Sequence, residues 1–280
     1  RPMPQFERDG ITINYEDAGD PEAPAVVLLH GFTSDLRSWS PILGELTADY
    51  RALAVDLRGH GLSSAPEGLD FYSIEALAGD VAALLDHLEV DVCALAGSSF
   101  GGMVALQFAV TWPEKLAGLV LSDTSAAFDH PDYDDRYHER EARLASFVET
   151  VDRFGVIEAG KRAARTVEDP FLAEAVRNRY ARMSREGILG CARVRRERPD
   201  LLPQLGPRLT MPVLICIGED DPVRGASDVM ARELPEARYL TFRVTGHSVP
   251  TLQPAAFIRE VLRFFADIED GRPVAGHRTV

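Results

Sequence analysis

The spacing of apolar residues changes character several times along the chain. Behind Asp9-Gly10, Ile11, Ile13 and Tyr15 alternate with polar neighbours, which predicts a short hairpin over residues 6–15. Ala25–Leu29 is uninterrupted apolar sequence, the pattern of a strand covered on both faces of a parallel sheet. Helical spacing over residues 38–46 and 73–88 then alternates with β-prone runs at 51–55, from Val92 onward, and at 116–121. Strands and helices in this alternation imply an α/β fold built on a mostly parallel, doubly wound sheet.

The rhythm breaks at about residue 125. Leu144, Phe147, Val148, Val151 and Phe154 recur at steps of three and four, and Phe171, Leu172, Ala175, Val176, Tyr180 and Met183 behave similarly. No strong strand pattern interrupts them. Alternation resumes with a strand at 212–218, a helix at 226–233, a strand at 238–242 and a closing helix at 255–266, while residues 270–280 read as a loose tail. The expected organisation is therefore a core of residues 1–124 and 208–280, with a helical cap of residues 125–207 inserted between two strands of its sheet.

Composition narrows the function classes. A chain of 280 residues, 45% hydrophobic, can bury a large core, and its net charge of −14 argues against nucleic acid and anionic membrane surfaces as partners. The charge is uneven. Residues 125–208 hold 16 basic and 15 acidic residues, so the body carries −15 and the insertion +1, and residues 161–208 alone hold 12 basic against 6 acidic. No apolar run is long enough to span a bilayer, and Arg1-Pro2-Met3-Pro4 lacks the apolar core of a signal peptide. Three cysteines, Cys93, Cys191 and Cys216, do not make a disulfide framework, so the expectation is a soluble protein of the reducing cytoplasm. No Cys/His spacing matches a metal site, and neither a metal nor an organic cofactor is expected.

Candidate chemistry centres on Gly97-Ser98-Ser99-Phe100-Gly101, where a β-prone run gives way to helix-forming residues. Glycines two residues either side of Ser99 give the spacing of a nucleophile elbow, a strained strand-to-helix turn that projects the serine hydroxyl from the backbone. The frame on Ser98 fails, because Ala96 and Phe100 stand where glycines are needed. A serine hydroxyl needs an adjacent base, and that base needs an orienting acid, each at the carboxyl end of a strand. His247, behind Gly246 in a loop between a strand and the closing helix, is the best of seven histidines; His30 and His60 precede the serine and read as groups that shape loops. For the acid, Glu219, Asp220 and Asp221 follow one strand and Asp123 ends another. Asp221 is preferred because the last of three consecutive acids stands furthest from the buried strand. Backbone N–H groups of Phe100, at the start of a helix, and of Phe32, in His30-Gly31-Phe32, are the candidate oxyanion donors.

Taken together, His30-Gly31-Phe32, Asp56-Leu57-Arg58-Gly59-His60-Gly61-Leu62-Ser63, the Ser99 elbow, Gly218-Glu219-Asp220-Asp221 and Gly246-His247 resemble the α/β-hydrolase fold family in order and spacing over about residues 6–268. Within it the chain looks most like the 3-oxoadipate enol-lactonase and small carboxylesterase group. The resemblance implies a Ser99/Asp221/His247 triad, an oxyanion hole at Phe32 and Phe100, a helical cap and no cofactor. A serine at position 99 departs from the dehalogenases and epoxide hydrolases, which use aspartate there. The expected partner is a small ester or lactone. Carbon–carbon hydrolysis and cofactor-free perhydrolysis or haloperoxidase chemistry are alternatives on the same triad, and a low-turnover small-molecule receptor is an alternative of another class. Arg177, Arg179, Arg182, Arg193, Arg195 and Arg196 are candidates to hold a substrate carboxylate, against the plainer expectation that they solvate outer helix faces. Oligomeric state is not legible.

Overall fold

Five apolar runs lie side by side at the centre of a nine-stranded sheet, seen in a computed structural model that describes residues 3–280. The strands are β1 (Gln5–Arg8), β2 (Ile11–Ala18), β3 (Ala25–Leu29), β4 (Arg51–Val55), β5 (Cys93–Ser98), β6 (Leu116–Ser122), β7 (Val213–Gly218), β8 (Arg238–Phe242) and β9 (Gly276–Thr279), in the spatial order β1-β2-β4-β3-β5-β6-β7-β8-β9. β1, β2 and β4 pair antiparallel, and every other neighbour is parallel. Alternate residues of the parallel strands enter opposite layers. Val27, Leu29, Leu53, Val55, Leu95 and Leu121 join one core, under α2 (Ile74–His87), α3 (Phe100–Thr111) and α8 (Arg224–Arg232). Val26, Leu28, Ala52, Ala54, Val120 and Leu214 join the other, under α1 (Ser40–Leu46) and α10 (Pro254–Glu269). Both faces are covered, which is why these strands read as unbroken apolar runs.

The sheet breaks its alternation where the sequence does. Between β6 and β7 come α4 (Asp135–Ala164), α5 (Pro170–Ala181), α6 (Arg185–Glu197) and α7 (Leu202–Arg208), with no strand among them. α4 is kinked at Gly155, whose φ is +77°. The apolar spacing of α4 is spent on a small core of Val151, Ala159 and Ile188, packed by Phe147, Val148 and Tyr180. The matching stripe expected of α5 is not buried as a whole: Phe171 is 81% exposed and Leu172 is also exposed.

Two elements differ from expectation. Residues 270–280 are not a loose tail, because Gly276–Thr279 forms β9 in parallel register with β8. His277, Arg278 and Thr279 carry no apolar signal. The strand is held by backbone pairing, by His277 set edge-on to Tyr239, and by Arg278 donating to Glu260. α9 (Val249–Leu252) is a single turn directly behind His247. All three cysteines are buried and free, with Cys191 Sγ 3.4 Å from the Arg58 carbonyl beneath α6. Among the described residues no helix is long and apolar enough to cross a membrane.

Candidate active site

β5 delivers Ser99 and α3 carries the chain away so sharply that Ser99 itself adopts φ 52° and ψ −112°, a strained conformation for a non-glycine residue. The flanking glycines make the turn possible. A Cβ at Gly97 would lie 2.4 Å from the Gly101 carbonyl oxygen, and one at Gly101 would lie 2.1 Å from that of Leu29. The strain is held from the next strand. Ser99 N–H donates to the Ser122 carbonyl at 2.8 Å, and Thr124 Oγ1 donates to the Ser99 carbonyl at 2.7 Å.

The structure brings Ser99, His247 and Asp221 together. Ser99 Oγ lies 2.9 Å from His247 Nε2, and His247 Nδ1 lies 3.0 and 2.9 Å from the two carboxylate oxygens of Asp221. Asp221 carries no donor, so Nδ1 holds the hydrogen and Nε2 is left to accept from the serine. Asp221 is fully buried and also accepts the Val223 N–H at 2.8 Å. Burial opposes its charge, but the hydrogen bond and proximity of His247 prevail and hold its carboxyl below the ordinary range. Burial in turn drives His247 below its usual value, against the pull of Asp221 and with the help of Arg140 and Arg195. The imidazole is a neutral base at pH 7.

The rival acids separate cleanly. Glu219 turns outward, its carboxylate accepting the Val244 N–H at 3.2 Å, and exposed Asp220 contributes only backbone contacts. Asp123 stays in the site. Its Oδ2 accepts from Ser122 Oγ at 2.6 Å and from the Val249 N–H at 2.8 Å, while its buried Oδ1 has no partner. Burial and the neighbouring Asp221 push the Asp123 carboxyl well above the ordinary range, so it keeps its proton on the free oxygen. Asp123, Asp221 and His247 form the one group of potential metal ligands among the described residues, each offering an atom within 4.8 Å of the others. With Nδ1 turned to Asp221 and Nε2 to Ser99, neither ring nitrogen is left for an ion.

The loop after β3 packs against the elbow, with a Cβ at Gly31 only 3.5 Å from Ser99 Cβ. Two buried histidines set its shape. His30 Nδ1 donates to the Gly31 carbonyl at 2.8 Å while its Nε2 accepts the Leu57 N–H at 3.0 Å, and His60 Nε2 accepts the Thr33 N–H at 3.3 Å. Both roles require neutral rings. Burial lowers both, His60 to about 3. The rings of Phe32 and Phe100 meet edge to face, and no hydrogen bond is formed by either residue's backbone N–H among the described residues.

Above the serine lies a cavity of 510 Å³ whose polar wall includes Ser34, Ser38, Arg140, Arg179 and Thr251. Of the six arginines singled out in the sequence, Arg177 pairs with Glu174, Arg193 with Glu197, and Arg196 is exposed. Arg182 opens on a neighbouring hollow instead. Arg179 reaches the cavity, donating to Thr33 O and Oγ1, and buried Arg195 sits 5.3 Å over the Phe32 ring and pairs with Glu141. The residue that sequence reasoning missed is Arg140. Its Nη1 pairs with Glu141 at 2.9 Å and its Nη2 lies 3.0 Å from His247 Nε2. A signal existed: Tyr137, Arg140, Glu141, Leu144, Phe147 and Val148 share one helical face, so this ion pair continues the apolar stripe of α4.

Comparisons with known proteins agree with this architecture. The alpha/beta hydrolase family profile matches residues 26–260. The chain is 30% identical over 225 residues to 3-oxoadipate enol-lactonase 2 of Acinetobacter baylyi, covering 78% of this chain and 79% of that one. It is 29% identical over 267 residues to a putative 2-succinyl-6-hydroxy-2,4-cyclohexadiene-1-carboxylate synthase of Bacillus subtilis, covering 93% and 97%. A thermophilic esterase structure from Thermogutta terrifontis superposes with a TM-score of 0.78 at 28% identity, over 95% of this chain and 97% of that one. A match that runs from the second residue of β3 to the middle of α10 takes in the parallel strands from β3 to β8, and it makes this chain a member of the alpha/beta hydrolase family.

Proposed function

We propose that the protein is a serine hydrolase that cleaves a small carboxylic ester or lactone through an acyl-enzyme. The observation that carries this reading is the 2.9 Å contact between Ser99 Oγ and the unprotonated Nε2 of a histidine fixed by a buried carboxylate. Ser99 Oγ attacks the carbonyl carbon while His247 Nε2 takes its proton. The carbonyl oxygen, now negative, is received by the N–H groups of Phe32 and Phe100, each such donor being worth about 3 to 4 kcal/mol of barrier. Collapse expels the alkoxide, which takes the proton from His247, and leaves Ser99 acylated. Water then gives a proton to the same nitrogen, adds to the acyl carbon and releases the acid, returning the proton to Ser99. In a lactone the alcohol stays tethered to the acyl group, and the product is a single hydroxy acid.

In this reading residues 125–207 act as a cap over the core and choose the substrate through the cavity wall. Family membership alone does not select ester hydrolysis, since one relative is named a putative synthase. A fluorophosphonate probe separates the cases, because it reports an activated serine whatever the natural substrate. The expected result is a single adduct on the wild type, mapped to Ser99, with hydrolysis of p-nitrophenyl acetate that disappears on labelling. Equal labelling of Ser99→Ala, or none on the wild type, overturns the proposal.

A further inference from the structure

Arg140 stands where a general base can least tolerate it. A guanidinium only donates, so at 3.0 Å its Nη2 shares the one lone pair of His247 Nε2 with the Ser99 hydroxyl. Once the imidazole accepts the serine proton, the same contact becomes cation against cation. Arg140 therefore opposes the step that the site is built for as long as it stays in place. Its anchoring is also short of negative charge. Glu141 is shared, accepting from Arg140 at 2.9 Å and from buried Arg195 at 2.7 and 2.9 Å, so two guanidinium groups lean on one carboxylate. The cavity above Ser99 is lined by Arg140 and Arg179 and by no carboxylate, in a chain whose net charge is −14. Apart from His247, its other polar side chains are hydroxyls.

We infer that Arg140 is a specificity-determining latch: it rests on His247 in the empty site and is drawn off by a carboxylate on the substrate, so that the enzyme prefers esters or lactones carrying an anionic arm. Two physical facts lead there. A carboxylate offers the guanidinium two parallel, charge-assisted hydrogen bonds, better than the single bond to a neutral imidazole nitrogen. The same anion neutralises the charge that would repel the imidazolium. Recognition and release of the base are then one event, and a neutral ester obtains neither. The charged and titratable groups around His247 are Asp221, Asp123, Arg140 and Arg195, of which Arg140 alone touches Nε2.

The inference rests on the serine-hydrolase reading for its catalytic consequence, but not for the binding itself, and the test uses both. Turnover of mono-p-nitrophenyl glutarate is compared with that of its methyl ester, corrected for the uncatalysed rates, and binding of glutarate is followed by calorimetry. The wild type is expected to prefer the monoanion by about tenfold or more in kcat/KM, and Arg140→Gln to lose that preference. On the neutral ester Arg140→Gln is expected to gain activity, with the acidic limb of its pH profile displaced to higher pH because a cation has left the imidazole. Arg140→Lys, which keeps the charge without the fork, should fall between the two. An unchanged preference and an unmoved acidic limb in a folded, probe-labelled Arg140→Gln overturn the latch. Glutarate binding that depends on Arg140 in a protein with no esterase activity upholds the anion site and sinks the hydrolase reading; turnover without glutarate binding does the reverse.

Discussion

A single proton between Asp123 and Asp221 decides whether the site has a working anion. Both carboxyl groups are buried at the ends of adjacent strands, and two neighbouring charges in that setting repel strongly, so one group stays neutral. Asp123 is the neutral one because burial and the neighbouring Asp221 oppose its charge and outweigh the two hydrogen bonds that its Oδ2 accepts, and the hydrogen then sits on the unpartnered Oδ1. Asn in its place keeps the acceptor for Ser122 and Val249 and puts a neutral N–H group where the protonated Oδ1 stood. Asp123→Asn is therefore expected to stay within about threefold of wild-type kcat/KM, whereas Asp123→Ala should lose roughly tenfold or more and about 1 to 3 kcal/mol of stability. Steady-state kinetics with urea unfolding of the two variants checks this. Identical losses in both would show that the carboxyl group itself is needed. That Ser99, His247 and Asp221 would meet was legible at this scale because glycine spacing, chain order and strand ends constrain them. Arg140 was not, since an arginine within a charged helix reads as solvated unless its place on the apolar face of α4 is noticed.

Backbone approach sets the scale of elements. α3 can cross β3 and β5 only because Gly97 and Gly101 present no side chain, and the atoms they would strike are backbone oxygens that cannot rotate away. Gly101→Ala is expected to cost about 3 kcal/mol or more and to abolish probe labelling together with the elbow, read by thermal unfolding and mass spectrometry. The elements most visible in the sequence are those with apolar faces: the parallel strands, α2 with Ser73 capping it through Ala76 N–H, and α10. β9 was invisible because an edge strand held by main-chain bonds and a salt bridge needs no apolar residue. α5 shows the opposite error, apolar residues at helical spacing that the fold leaves exposed at Phe171 and Leu172. Periodicity records that a helix has a face, and not what covers that face.

Across the whole molecule, three histidines are folded in as neutral groups. His30, His60 and His247 all lie below their ordinary value because burial opposes the charged ring. The unfolded chain takes up these protons as pH falls below 6.5 and the folded protein does not, so acidification favours unfolding. Asp123 and Asp80, both raised by burial, work in the opposite sense and offset part of the effect. His60, lowered to about 3, stays unprotonated furthest into acid. Between pH 7 and 5 the wild type is expected to lose about 2 kcal/mol more than His60→Gln, measured by urea titration at the two values. A parallel loss in both proteins would remove His60 from the account.

The three sulfhydryl groups have a practical consequence. Burial raises them, Cys93 to about 12, and holds all of them away from solvent. In the native fold they are expected to be silent toward maleimides and iodoacetamides, which thiol counting before and after unfolding checks. A single cysteine placed on an exposed helix such as α5 would then be the one site to take a dye or a spin label, and distances from these helices to the sheet become measurable without first stripping the natural thiols.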